Sequence, residues 1–96
     1  LDDCYLLDGV GGQLRPGAVL SHPGTGRVLR VLTDAPGMQV YSGNNLGSPF
    51  HVHQSMSLET QRMPDAPNQP ALGPCVLRPG EHYATTTLLD FTTSGT

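Results

Sequence analysis

Short apolar runs separated by turn-forming residues make up the whole chain. Glycine occurs 12 times and proline 9 times in 96 residues, and helices of ordinary length do not survive breakers at that spacing. The pattern therefore predicts an all-β chain. The predicted strands cover residues 4–7, 18–21, 27–33, 38–42, 56–61, 75–77 and 82–91.

Strands 18–21 and 27–33 are joined by His-Pro-Gly-Thr-Gly, which predicts a β-hairpin. The second of these strands carries apolar residues on both faces, as expected for a strand covered partly on each side. Several short strands linked by tight turns are typical of two packed antiparallel sheets. We therefore predict part of an antiparallel β-sandwich.

Charge and length narrow the possible functions. The chain has 5 Lys plus Arg and 8 Asp plus Glu, a net charge of −3. Its arginines are scattered, whereas nucleic acids and anionic membranes select clustered cations, so we expect neither as a partner. No apolar run approaches the roughly 20 residues of a membrane helix. Ninety-six residues allow at most one small domain.

The chain has two cysteines, Cys4 and Cys75. Two are too few for a disulfide scaffold or for a zinc knuckle. Free cysteines are commonly buried, so we interpret both as small buried side chains in separate strands. The sequence leaves a disulfide between them open.

One carboxylate stands out because of the segment that follows it. Glu59 lies in the predicted strand 56–61, and a loop with three prolines comes directly after. Between the prolines lie three polar residues, Asp65, Asn68 and Gln69. We interpret them as residues that close turns onto nearby backbone. Taken from the residues alone, Glu59 is an exposed strand carboxylate.

The pair His51 and His53 has the spacing of metal ligands that share one face of a strand. A zinc site needs at least three protein ligands, and the sequence offers no third. We predict no metal site and no cofactor.

Five motifs together resemble the aldose 1-epimerase (galactose mutarotase) family. Leu-Glu-Thr-Gln at 58–61, followed by Pro-Asp-Ala-Pro-Asn-Gln-Pro at 64–70, is similar to the signature of its C-terminal part. The other four are Asp-Asp-Cys-Tyr at 2–5, the hairpin at 21–29, Pro-Gly-Met-Gln-Val-Tyr-Ser-Gly-Asn at 36–44, and Leu-Arg-Pro-Gly-Glu-His-Tyr at 77–83. They occur in the family's order and cover nearly the whole chain.

The resemblance implies a fold, an activity and site residues. Residues 1–96 would be the C-terminal part of one galactose-mutarotase-like supersandwich domain whose N-terminal part lies outside this chain. The parent enzyme would interconvert the α and β anomers of a free aldose such as galactose or glucose. Glu59 would be the general base, and Asp2 and Gln39 would bind sugar hydroxyls. The general-acid histidine would lie outside the chain, because none of its four histidines occupies the matching motif.

Two alternatives to this interpretation remain open at this stage. One is a non-catalytic carbohydrate-binding module of the same fold, and the other is an inactive fragment. On the leading interpretation this segment alone is inactive, its only small-molecule partner is a sugar, and its compartment is expected to be the cytoplasm, where sugar metabolism is common. The sequence does not predict an oligomeric state.

Overall fold

The computed structural model describes residues 1–9 and 12–94. It is almost entirely β structure, organised as two compact units, one containing Leu1–Leu7 and Pro36–Tyr83 and the other Asp8–Ala35 and the chain from Ala84 onward. Among the described residues, no helix has the length and apolar character needed to cross a membrane. The strands are β1 (Asp2–Leu6), β2 (Arg15–His22), β3 (Arg27–Thr33), β4 (Gly37–Tyr41), β5 (Ser57–Gln61) and β6 (Thr87–Thr93), and two short 3-10 helices span Ala66–Asn68 and Pro70–Leu72.

The first unit contains an antiparallel sheet in the order β1-β4-β5. Strand β4 is central and is the best covered, with Met38 only 2% exposed. Side chains alternate between the two faces along β5. Leu58 lies on the same face as Met38, whereas Ser57 and Glu59 lie on the opposite face. One face of this sheet is therefore apolar at its centre and the other is polar.

The second unit contains an antiparallel sheet in the order β2-β3-β6. The predicted hairpin is present, with β2 and β3 paired from His22 opposite Arg27 to Arg15 opposite Thr33. The register shifts between Pro16 and Ala18, which is how a strand accommodates a proline that cannot donate to the ladder. The buried centre of this unit lies at the end of β3 and just beyond it, at Val31, Thr33 and Ala35.

The all-β class is confirmed, and both sheets are antiparallel as predicted. The strand predicted at 75–77 is wrong. This segment pairs with no strand among the described residues, and its Val76 and Leu77 are exposed. The assignment of residues 1–96 to part of a single domain stays a prediction.

The last strand begins at Thr87 rather than at residue 82. The reason is that Asp34, the residue after β3, forms hydrogen bonds with the residues just before Thr87. The carboxylate of Asp34 accepts hydrogen bonds from the Thr85 hydroxyl at 2.6 Å and from the Thr86 N–H at 3.0 Å. These two bonds, the hydroxyl first, hold the pKa of Asp34 below its ordinary value. Since the Thr86 N–H is already bound to a carboxylate, it cannot extend the ladder.

Arg15 lies at the same end of this sheet, on the opposite edge strand. Its guanidinium donates to the carbonyl oxygens of Thr33 at 2.7 Å and Ala35 at 2.5 Å, and also to that of Asp8 at 3.1 Å. Two of these carbonyls lie where the chain leaves β3, so the cation ties the start of β2 to the end of β3. This explains why β2 begins at Arg15, three residues before the predicted start.

Thr33 is fully buried, and its hydroxyl is satisfied on both sides. It accepts a hydrogen bond from the Ala35 N–H at 3.1 Å and lies 3.2 Å from the Thr86 carbonyl oxygen. The substitution Thr33→Val removes the hydroxyl and leaves the Ala35 N–H buried without a partner. We expect a loss of about 1–3 kcal/mol in the free energy of unfolding, measured by urea denaturation.

Two matched variants control this prediction. Thr33→Ser keeps the hydroxyl and should retain most of the stability, whereas Thr93→Val replaces an exposed threonine at the end of β6 and should change it by under about 0.5 kcal/mol. Equal stability of Thr33→Val and the wild type would contradict the assigned role of the hydroxyl.

Candidate functional site

Eight side chains from three strands lie on one face of the first sheet, and seven of them carry an oxygen, nitrogen or sulfur atom; the eighth is Leu6, which is exposed. Residues that pair across antiparallel strands lie on the same face, as do alternate residues along one strand. The pairs that define this face are Asp2 with Tyr41, Cys4 with Gln39, Gln39 with Glu59 and Tyr41 with Ser57. We use "polar face" for the surface formed by Asp2, Cys4, Gln39, Tyr41, Ser57, Glu59 and Gln61.

The structure places the three predicted site residues side by side on this polar face, one on each strand. Gln39 lies directly opposite Glu59 on the neighbouring strand. On its other side, the Nε2 atom of Gln39 donates a hydrogen bond to Oδ1 of Asp2 at 2.7 Å. Asp2 and Glu59 lie on strands about 10 Å apart, twice the usual inter-strand spacing. A small polyhydroxyl ligand therefore has room between the two carboxylates, above Gln39.

Glu59 is exposed, as the residues of this strand alone predicted. Its carboxylate makes no hydrogen bond or ion pair to any of the residues that the structure describes. The strand on which it lies is held on one side by β4 through five residue pairs. The backbone is therefore fixed while the carboxylate itself is available to a ligand.

Two sulfur atoms close one end of the polar face. The thiol of Cys4 lies 3.7 Å from the Met63 sulfur, and the amide nitrogen of Gln61 lies 3.9 Å from the same thiol. Burial raises the pKa of the Cys4 thiol, so it stays neutral near pH 7. The Met63 side chain thus covers this end of the polar face. The part of the face that a ligand can reach is the region around Asp2 and Glu59.

Gly37 leaves space for this sulfur cluster. A Cβ atom at residue 37 would come within 2.6 Å of the Met63 sulfur and 3.2 Å of the Tyr5 carbonyl oxygen. Any side chain at residue 37 would displace the Met63 sulfur from its place over the end of β4 and crowd the Tyr5 carbonyl. The start of the proline loop is thereby held against the sheet.

The proline loop that follows β5 is braced by its own side chains. Asp65 accepts hydrogen bonds from Nδ2 of Asn68 at 2.9 Å and from Nε2 of Gln69. The three residues do have a structural role, but they bind one another's side chains rather than closing turns onto the backbone as predicted. The Asn68 bond, followed by the Gln69 bond, holds the pKa of Asp65 below its ordinary value.

None of the four histidines lies on the polar face. The expectation that His51 and His53 share one face of a strand is wrong, because both lie in the loop between β4 and β5. The Nε2 atom of His53 lies 3.1 Å from Oδ1 of Asn44. His22 is in β2, and His82 is in a segment without regular structure. Among residues 1–9 and 12–94, no group of three His, Cys, Asp or Glu could hold a metal ion.

The two cysteines are free thiols. Both are half-buried, and Cys4 lies in a strand as expected. Cys75 does not, because the strand predicted around it is absent.

An open cavity of about 660 Å³ lies on the second sheet, and none of the predicted site residues lines it. Leu20, Leu29 and Phe91 form its apolar lining, and His22 is its titratable group. No carboxylate among the described residues lines it. The polar face carries carboxylates that can accept a proton or bind hydroxyls, so it is the better candidate for acid–base chemistry on a sugar.

Sequence analysis missed four members of the polar face. Each of the four lies two positions from a predicted site residue in the same strand, and such residues share one face. The four are Cys4, Tyr41, Ser57 and Gln61. Tyr41 is half-buried, and its hydroxyl accepts a hydrogen bond from the Asn45 N–H at 2.9 Å. Alternation could have found all four, but it could not say which strands are neighbours.

Comparison with known proteins agrees with the five motifs. The family model described as Aldose 1-epimerase matches residues 1–90. The chain belongs to the aldose 1-epimerase family.

Individual relatives are similar to this chain over most of its length. The galactose mutarotases of Bos taurus and Homo sapiens are each 45% identical over 82 residues, which cover 77% of this chain and 24% of the relative. The aldose 1-epimerase of Escherichia coli (strain K12) is 35% identical over 99 residues, covering 94% of this chain and 29% of the relative. The chain thus spans about a quarter of the length of the curated relatives it matches.

The bracing of the proline loop predicts a specific titration. The Asp65 carboxyl should titrate below 3.8, the ordinary value, when its side-chain carbon resonance is followed by NMR. Because its folded-state pKa is lowered, its contribution to stability is complete above the unfolded-state pKa and is lost as the pH falls through the folded-state pKa. Asn68→Ala should move the midpoint up toward the ordinary value.

The control for this titration is Asn45→Ala, which removes an exposed loop amide that does not contact Asp65. It should leave the Asp65 midpoint unchanged. A midpoint that does not respond to Asn68→Ala would show that the amide does not stabilise the carboxylate.

Proposed function

We propose that this chain is the C-terminal part of an aldose 1-epimerase that interconverts the α and β anomers of a free aldose of the galactose or glucose type. Glu59 is the general base, Asp2 and Gln39 bind sugar hydroxyls, and a histidine outside this chain is the general acid. The observation that carries the proposal is the register of β1, β4 and β5, which places all three residues on one polar face. Membership of the family and the names of its relatives support it.

The chemistry needs one base and one acid on opposite sides of the sugar. The Glu59 carboxylate removes the proton from the anomeric hydroxyl while the acid protonates the ring oxygen, and the bond between C1 and the ring oxygen breaks. The product is the open-chain aldehyde. After rotation about C1–C2, the former ring hydroxyl attacks the other face of C1, and both protons return to where they started.

The geometry of the polar face suits the base half of this reaction. Proton transfer requires heavy atoms about 2.6–3.2 Å apart, and Glu59 is placed by a paired strand rather than by a loop. Its carboxylate has no partner among the described residues, so it is free to accept the anomeric proton. Ionised Asp2 and the amide of Gln39 supply hydrogen-bonding groups for neighbouring hydroxyls.

The alternative function, a non-catalytic carbohydrate-binding module, uses the same Asp2 and Gln39. It differs in lacking a working acid opposite Glu59. Binding without turnover by the full-length protein would favour it.

Replacing Glu59 by glutamine tests the proposal. In the full-length protein, Glu59→Gln keeps the size and the strand position of the side chain but removes the base. We expect catalysed mutarotation of α-D-galactose, followed by polarimetry above the spontaneous rate, to fall by at least about 100-fold. The thermal unfolding midpoint should be unchanged, since the carboxylate makes no contact that stabilises the fold.

The matched control is Asp3→Asn, which neutralises an exposed carboxylate on the opposite face of the same sheet. It should leave the rate within about twofold of wild type, as expected for a surface change remote from the chemistry. Near-normal mutarotation by Glu59→Gln would overturn the base assignment.

A further inference from the structure

Gln39 has one feature that a simple sugar-contacting residue does not require. Its amide nitrogen donates to Oδ1 of Asp2 at 2.7 Å. The two residues are not direct cross-strand partners, because Gln39 faces Cys4 and Asp2 faces Tyr41. The long glutamine side chain reaches diagonally across the ladder to make this bond.

The orientation of the amide follows from chemistry. An ionised carboxylate can only accept hydrogen bonds, so the amide must present its NH₂ group to Asp2 and turn its oxygen away. Asp2 makes no other side-chain hydrogen bond among the described residues. Gln39 is therefore the side chain that fixes the rotamer of Asp2.

Burial and support also differ between the two residues. Asp2 is exposed and lies at the first position of β1, an edge strand paired only with β4. Gln39 is half-buried at the middle of the central strand, with paired strands on both sides. The residue with more packing and pairing around it thus holds the less supported one, because strand ends and exposed side chains lose their order most easily.

We propose that Gln39, besides its direct contact with the sugar, is a positioning residue that acts through Asp2: its amide nitrogen holds the Asp2 carboxylate so that Oδ2 is presented to the sugar. The proposal rests on the proposed function in that Asp2 is taken as a sugar ligand. Holding the carboxylate before the sugar arrives removes part of the ordering cost of binding. Gln39 therefore contributes to affinity mainly when Asp2 is present.

A double-mutant cycle on the full-length protein tests this, with binding of D-galactose followed by NMR titration. Gln39→Met keeps the length of the side chain but removes the amide. We expect it to weaken binding about tenfold when Asp2 is present, the effect of losing a hydrogen bond to a charged group. In the Asp2→Ala background the same change should weaken binding less than about threefold, since coupled residues are not additive.

The matched control is Gln13→Met. Gln13 is an exposed glutamine in the segment between β1 and β2, and it is not a member of the polar face. Its substitution should weaken galactose binding by less than about twofold in both backgrounds. Far-UV circular dichroism on every variant checks that the sheet is intact.

The outcomes separate the two proposals. An equal factor for Gln39→Met in the wild-type and Asp2→Ala backgrounds would overturn the positioning role and leave the proposed function standing. Galactose binding with the predicted coupling but no mutarotation by the wild type would support the positioning role and overturn the catalytic function. A wild-type protein that binds no galactose would overturn both.

If Gln39→Met does not fold, Gln39→Leu provides the same test with a shorter apolar side chain.

Discussion

The register of the β1-β4-β5 ladder is the constraint on which the candidate site depends. Side chains alternate between faces at every residue, so a slip of one position in β4 or β5 would move Gln39 or Glu59 to the opposite face. That face carries Met38, which is buried, and a charged group there would lose its hydration without a partner. Apolar burial on one face of the sheet therefore keeps the carboxylates and the amide on the other.

Local sequence predicted the strands that carry the site but not their adjacency. The alternation of apolar and polar residues in Ser57–Gln61 determines which residues accompany Glu59. No local signal showed that β1 pairs with β4, whose Gln39 follows Cys4 by 35 positions. The resemblance to a family supplied the three residues, and the pairing showed that they share one surface.

Two errors in strand boundaries share a physical cause, which is hydrogen bonding of side chains to backbone groups. Three threonines at residues 85–87 favour a strand by propensity, yet the N–H of Thr86 donates to the Asp34 carboxylate instead of joining the ladder. Local sequence predicts a loop at the first residues of β2, because a proline lies among them. Arg15 and a bulge bring them into the sheet, and neither device is visible in local hydrophobicity.

Under the proposed function, the polar face would supply one half of a mutarotase site, a base and its neighbouring hydrogen-bonding groups, and the acid would lie elsewhere in the full-length protein. The most direct measurement is a crystal structure of the full-length protein with D-galactose bound. The account predicts the sugar on the polar face, with its anomeric oxygen about 2.6–3.2 Å from a Glu59 carboxylate oxygen and another hydroxyl on Asp2. Galactose bound at a different surface, or with its anomeric carbon away from Glu59, would contradict the account.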